Sequence, residues 1–414
     1  MFKLPIALVR ALGVVFLFGS SVVAMANVKS ENKTQHANSG VTSQTYLQML
    51  DQIDRELAAL EELAASRENS WAMQERLATA LTARGKLTGE MADFVAAREA
   101  IKVAFQTARK GAGPFMARAS LNFTLHLLPL VEADLSRVES SLLVNNRTRT
   151  LINLTRADID LYSARYNQAK KIYLEMEGKN PSVDTASRLA NYFTQTGNFS
   201  AAEHWFDQTE SRVVGYSPQL RAWVHLQKGI LDLSSGRLDD ALAHYEEALD
   251  IFPGYWLVEE HIAEIDALQG RNQMAEKKYR DLIERTGSPL FMVALSDVLG
   301  ERDDSDSKNE SVQWMKAAAE RFEQQLQVMP EMVSGHALEH FIQFEEIERV
   351  LPMALDNYHA RPAGESAVAL VQALALAGQH PRAIALLEEI LNTPYRSADL
   401  FATASILYLS LIHI

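Results

Sequence analysis

Ala169, Ala202, Ala241, Ala275 and Ala383 occupy the same place in one recurring pattern. Four residues after each stands a bulky side chain: Tyr173, Phe206, Tyr245, Tyr279 or Leu387. Five residues before each stands a small one: Ala164, Gly197, Gly236, Gly270 or Gly378. Twelve before come Ala157, Ala190, Gly229, Ala263 and Val371. The first four alanines are spaced 33 to 39 residues apart, the length of one helix pair. A period of that size means helix pairs stacked on one another rather than a globular enzyme core. The expected fold is therefore all-α, a solenoid of antiparallel helix pairs. The pattern suggests a binding scaffold and does not name what is bound.

The 414 residues are 47% hydrophobic and 22% charged. That is apolar enough for one continuous solenoid core and argues against wholesale disorder. The net charge of −13 argues against nucleic acid or an anionic membrane as the main partner, because both demand clustered Lys and Arg. Lys170-Lys171 and Lys277-Lys278 sit on Glu-rich helical stretches and read as solvated faces. There is no cysteine, which excludes thiol catalysis, Cys-ligated zinc and iron–sulfur clusters.

The N-terminus reads as an export signal. Lys3 and Arg10 give a positive start, Ala11 to Gly19 is apolar and uncharged, and Ala24-Met25-Ala26 supplies the small residues a signal peptidase reads. Cleavage is expected after Ala26, before Asn27. The uncharged stretch after Arg10 is about 16 residues, short of the ~20 that a spanning helix needs. The mature chain is therefore expected in the periplasm or outside the cell, with no stable membrane span. Without disulfides it must rely on packing alone.

The expected organisation follows from the pattern. Residues 1–26 are the signal and 27–43 a polar, flexible leader. Residues 44–70 form a capping helix, with Tyr46, Leu47, Leu50, Ile53, Leu57 and Leu60 at three- and four-residue steps. Residues 71–149 hold degenerate pairs, with a longer loop at 84–90. Residues 150–289 hold the clear pairs. Pro181 and Pro253 lie where second helices must stop, and Ser217-Pro218 reads as a side-chain cap followed by a residue of preset φ. Residues 290–363 are irregular, and the Asp/Ser-rich stretch 301–310 reads as an exposed loop. It lacks the glycine and distal glutamate of an EF-hand calcium loop. Residues 364–414 hold one more pair and an unfinished, apolar last helix. Leu407, Leu409, Leu411, Ile412 and Ile414 are expected to stand partly bare, which suggests that the chain is incomplete.

The repeat has a physical reason. Two antiparallel helices approach closely only where both carry small side chains, as at Gly229 and Ala241. The Gly236 position lies in the turn, where positive φ is favoured. Tyr245 packs between its own hairpin and the next, and Ala248 lets the next pair come near. The run Leu226, Gly229, Gly236, Leu238, Ala241, Tyr245, Ala248, Leu249 and Pro253 resembles the tetratricopeptide repeat, with support from Ala190, Gly197, Phe199, Ala202 and Phe206 and from Ala263, Gly270, Ala275 and Tyr279. The resemblance covers residues 150–287 well, 364–395 moderately and the rest weakly. It implies a right-handed superhelix whose concave groove holds a peptide or protein segment. By that resemblance the groove would be lined by Leu154, Asp158, Ser187, Asn191, Gln195, Leu226, Ile230, Leu233, Glu260 and Glu264. Some family members clamp a C-terminal carboxylate with Lys and Asn; here Asn191 has no accompanying lysine, so that clamp is read as absent. The expected groove is mixed apolar and acidic, suited to a segment with apolar anchors and basic residues.

Two other functions deserve weighing. His336-Ala337-Leu338-Glu339-His340 matches the inverted zinc-peptidase signature, with both histidines on one helical face, Glu339 as base and Glu388 or Glu389 as a third ligand. Its flanks, Leu338, Phe341, Ile342 and Phe344, look like those of a packed repeat helix. Trp223 and Trp256 could offer a sugar-stacking surface to an envelope polymer. No glycine-rich phosphate loop and no G-x-S-x-G is present. The preferred expectation is an exported, non-catalytic scaffold or assembly factor that binds a protein or peptide, with no cofactor and no metal. The oligomeric state is not legible.

Overall fold

The computed structural model describes residues 45–412, apart from 68–69, 142–143, 214–216 and 345–346; at 343–344 and 410–412 it describes the backbone alone. The expected signal and leader lie outside the described residues. Among these, the chain is helical throughout and holds no β-strand. The helices are α1 (Tyr46–Ser66), α2 (Trp71–Thr88), α3 (Met91–Thr107), α4 (Phe115–Thr124), α5 (Leu128–Glu139), α6 (Asn146–Leu161) and α7 (Tyr166–Lys179). They continue as α8 (Val183–Gln195), α9 (Phe199–Ser211), α10 (Pro218–Ser234), α11 (Leu238–Ile251), α12 (Trp256–Leu268), α13 (Asn272–Thr286) and α14 (Pro289–Gly300). The last are α15 (Ser305–Val328), α16 (Pro330–Phe344), α17 (Ile347–Ala360), α18 (Gly364–Leu376), α19 (His380–Leu391) and α20 (Ala398–Ile412). Each helix packs on the next, and the closest partners are the pairs α2/α3, α4/α5 and so on to α18/α19, except that α17 packs more on α18 than on α16.

The repeat residues explain these hairpins. Ala169, Ala202, Ala241, Ala275 and Ala383 are all completely buried, as are Tyr173, Tyr245 and Leu387 four residues later, with Phe206 and Tyr279 nearly so. Between the two helices of a pair, Gly197, Gly236, Gly270 and Gly378 adopt φ of 69–74°, the left-handed region open to a residue without a β-carbon. Ala164 holds the same place with φ 59°, at the steric cost that a β-carbon carries there. Pro181 and Pro253 follow the ends of α7 and α11, where a missing N–H is harmless. The chain is thus an all-α array of tetratricopeptide-like helix pairs.

Some local expectations are corrected. Residues 84–88 continue α2 instead of forming a loop, because Gly85 lets the Phe94 ring of α3 lie against the helix; Gly89, at φ 77°, ends it. The stretch 301–310 is mostly helix: Asp304 accepts a hydrogen bond from the Ser307 amide and starts α15. Ser217 precedes α10 without a side-chain cap bond, so Pro218 at the first turn supplies the start signal. In α20, Leu407 is buried, whereas Phe401, Ile406 and Leu409 are exposed.

Successive turns of the array touch, which a hairpin-by-hairpin reading cannot foresee. The α1 helix does not merely cap a stack. The Tyr46 amide donates to the Pro253 carbonyl (3.0 Å), and its ring lies against Phe252 and Tyr255. Trp256 Nε1 donates to the Leu87 carbonyl at 3.0 Å. Further along, Gly364 N donates to the Tyr166 hydroxyl (3.1 Å), and Arg396 N to the Gln195 carbonyl (2.9 Å). One continuous core joins Leu154, Tyr166 and Tyr192 of the middle hairpins to Phe341, Val371 and Leu400 of the late ones. The array therefore faces much of its own chain.

Candidate functional site

Where those turns meet, they enclose a cleft. The residues between α17 and α18, Arg361 to Ala363, bring a guanidinium into it, and Gly364 (φ 56°) starts α18 beneath the Tyr395 ring. A β-carbon on Gly364 would stand 3.1 Å from Tyr395 Cε2, so the close approach of these turns needs glycine there. Tyr395 in turn stacks on Tyr166 at 6.4 Å between ring centroids. One lobe of the cleft, about 90 Å³, is lined by Tyr162, Gln195, Ser234, Arg361, Arg396 and Asp399 among others. A smaller lobe of about 30 Å³ lies on the other side of Arg361, against His126, His336, Glu339 and Asn357. Glu365 and Ser366 line both lobes. The larger lobe has room for one or two side chains, not for a helix.

The charges in the cleft are unusual for so acidic a chain. Arg361 donates from Nη2 to Asn357 Oδ1 (2.9 Å) and lies 3.3 Å from His126 Nε2 through Nη1. Arg396 donates from Nη1 to the carbonyls of Thr393 and Tyr395, each at 2.6 Å. Both guanidinium groups are thus held by neutral acceptors. Burial pushes the Glu365 carboxyl up to about 8, with Glu339 adding to the shift and Arg361 opposing it. Asp399 is raised to about 6 by burial. Burial, helped by Arg361, lowers His336 to about 4 and takes His126 well below the ordinary imidazole range. Near neutral pH the heart of the cleft therefore holds a guanidinium, two uncharged imidazoles and a largely protonated Glu365, with the Glu339 carboxyl group acting on both Arg361 and Glu365. His126 has φ 59°, an uncommon backbone for a residue other than glycine.

The residues expected to line a groove are scattered by this arrangement. Asp158 is buried in an ion pair with Arg188 and accepts a hydrogen bond from the Tyr173 hydroxyl (2.7 Å). Leu154, Leu226, Ile230 and Leu233 are packed into the core, and Ser187 is buried. Glu260 is buried beside His261, whose Nδ1 lies 3.2 Å away, so it offers no open acidic surface. Glu264 lies 3.3 Å from the same nitrogen and keeps some exposure. Asn191 is partly exposed, and Gln195 lines the larger lobe. The expected mixed apolar and acidic groove gives way to an arginine-bearing cleft. Arg361 and Arg396 lie in links between helices, where periodicity carries no signal.

The other two readings lose their geometry. His336 lines the smaller lobe, whereas His340 is buried against Phe322 and Phe341, with ring centroids 5.2 Å apart in both cases. Glu388 and Glu389 are exposed on α19. Among the described residues, His336 and His340 belong to no group of three converging metal ligands. Trp223 and Trp256 are buried, so neither ring is open to a sugar.

No protein-family model matches the chain, and no match was found among curated proteins. Several solved structures are similar to it. The Naa15/Naa10 complex bound to HypK-THB matches with a TM-score of 0.31 and 14% identity over 83% of this chain. This chain spans 63% of the length of that one. The APC/C hetero-tetramer Cut9-Hcn1 matches with a TM-score of 0.41 and 13% identity, covering 87% of this chain and 73% of that chain. The TPR domain of P58(IPK) matches with a TM-score of 0.27 and 12% identity, covering 89% of this chain and 98% of that one. Among the described residues, no helix is long and apolar enough to cross a membrane.

Proposed function

We propose that this array of tetratricopeptide-like hairpins is a non-catalytic binding scaffold that holds an acidic segment of another protein in the cleft between its turns. The observation that carries this reading is the pair Arg361 and Arg396. They are two guanidinium groups in one cleft, each bonded to neutral acceptors, in a chain of net charge −13. A partly buried arginine gains most from a carboxylate that can take two of its N–H groups at once. The volume of the cleft suits one or two side chains or a chain terminus. The rest of the partner would then lie along the rim near Gln195, Ser234 and Asp399.

The test is site-specific photo-crosslinking from Ser234 in the native host, read by mass spectrometry. One envelope protein should be captured, through an Asp- or Glu-containing segment, and it should be lost in the Arg361→Ala/Arg396→Ala double variant. Capture that is unchanged in the double variant, or that maps to a basic segment, would overturn the reading.

Export is part of the same proposal, supported by Lys3, Arg10, the apolar run that follows and Ala24-Met25-Ala26. The mature protein should be found outside the cytoplasm with Asn27 as its first residue. A role as an assembly factor would follow if the captured partner is itself part of an envelope complex.

A further inference from the structure

Away from the cleft, the α10/α11 hairpin brings together two imidazoles and a carboxylate. His225 lies on α10, and His244 and Glu247 lie on α11 at a three-residue step, which places them on one helical face. Glu247 Oε2 stands 2.9 Å from His225 Nδ1 and 3.5 Å from His244 Nδ1. The three residues offer ligand atoms that all lie within 4.8 Å of one another. Ligand atoms about 2.0–2.1 Å from a tetrahedral zinc ion sit roughly 3.3 Å apart, so only small rotations would converge them on one ion.

Two further features point to a ligand. The Nδ1 atoms of both histidines are buried and face the Glu247 carboxylate without completing a hydrogen bond to it. A buried lone pair without a donor is costly, and an ion between the rings would satisfy both at once. The other nitrogens face carboxylates: His225 Nε2 lies 3.2 Å from Glu210 Oε1, and His244 Nε2 lies 3.6 Å from Asp232 Oδ2. For His225 that is the arrangement in which an outer carboxylate accepts a hydrogen bond from Nε2–H and leaves the Nδ1 lone pair for a metal, whereas the Asp232 contact of His244 is longer than a hydrogen bond. The side chain of Glu247 is 58% exposed and that of His244 31%, so the site opens to solvent on one side.

We infer that His225, His244 and Glu247 bind a divalent transition metal ion, with zinc the best fit to two imidazoles, one carboxylate and a water at the open position. Imidazole donors favour zinc, nickel, cobalt and copper over magnesium and calcium. The ion would tie α10 to α11 and add to the stability of this hairpin. The inference is independent of the arginine cleft.

The test uses the full mature chain, stripped with chelator and titrated with ZnCl₂ and, in parallel, CoCl₂. One zinc per chain should bind, the cobalt form should show the intense visible bands of a tetrahedral site, and zinc should raise the thermal midpoint. His244→Ala and the exposed-site variant Glu247→Gln should each weaken zinc binding at least tenfold, while His336→Ala should not change it. Glu247→Gln decides the matter if the histidine variants fold poorly. Absence of stoichiometric zinc in the wild type overturns the assignment. So does unchanged affinity in Glu247→Gln, or loss of binding on His261→Ala with His244→Ala unaffected.

Discussion

A β-carbon added to Gly229 would stand 2.3 Å from Cε1 of Tyr245, so the α10/α11 hairpin is as close as it is because one helix has no side chain there. Tyr245 cannot withdraw, since it is completely buried and stacks on His261 with ring centroids 5.3 Å apart. Gly229→Ala gains helix propensity of about 1 kcal/mol and still must force the helices apart. Such overpacking costs roughly 1–3 kcal/mol. A net destabilisation of up to about 2 kcal/mol is expected from the shift of the urea midpoint, and a variant more stable than the wild type would show that the hairpin has slack.

Ala164 predicts the opposite sign. It sits at φ 59° where four other turns have glycine. Ala164→Gly relieves the left-handed strain and adds some freedom to the unfolded chain. Stabilisation of about 0.5–1 kcal/mol is expected. Denaturant unfolding checks it, and a loss of stability would contradict the backbone assignment of the α6/α7 turn.

Asp158 and Arg188 form a buried pair with N–O distances of 2.9–3.0 Å, and the Tyr173 hydroxyl completes it. Burial works against the charge of Arg188, but Asp158 outweighs it and holds the pKa above the ordinary arginine value. Asp158→Ala removes the close carboxylate of a buried cation, leaving it the Asp184 carbonyl and the Asp184 carboxylate at 3.9 Å, and should cost about 3–5 kcal/mol. Replacing the pair together, as Asp158→Leu/Arg188→Met, should recover most of that loss. If the double variant is no better than the single one, the pair is not the source of the effect.

The cleft makes stability depend on pH. Glu365 has a folded-state pKa of about 8 against 4.5 when unperturbed, so the folded chain holds its proton more tightly. Its contribution is fully present below about pH 4.5 and is lost as pH rises through 8. Asp399 and Glu260, raised to about 6 and about 7, act in the same direction at lower pH. His336, lowered to about 4, contributes above pH 6.5 and loses that contribution as pH falls through 4. Glu365→Gln should therefore remove the decline in unfolding midpoint between pH 7 and 8 and lessen the decline between about pH 4.5 and 7, to which Asp399 and Glu260 also contribute. The groups facing Glu365 are Arg361, Glu339 and Asp399. An unchanged slope above pH 7 in the variant would show that Glu365 is not the titrating group.

The hairpins were legible because they are local. Ala169 and Tyr173, or Gly236, Ala241 and Tyr245, mark a turn and the helix that follows within a dozen residues, and their burial repeats with the helical period. The α10/α11 metal ligands left half a signal. His244 and Glu247 share a helix face at a step visible in the sequence, but nothing in it places His225 opposite them. The arginines of the cleft left none, since Arg361 and Arg396 lie in links where no period applies. The groove residues were misplaced for a related reason: a residue on the inner side of a hairpin can face a partner or another turn of its own chain, and the pattern is the same.

The sequence by itself determined most of the secondary structure, the pairing of helices in the clear repeats and the residues at which they approach, because those contacts are short in chain separation and periodic. Tertiary structure alone decided that Trp256 reaches Leu87, that Gly364 reaches Tyr166 and that Arg361 meets His126, contacts spanning 169, 198 and 235 residues. A small rotation from each helix pair to the next accumulates along the array, and its sum fixes which turns meet. Hydrophobic periodicity records only that a side chain leaves water, not what covers it.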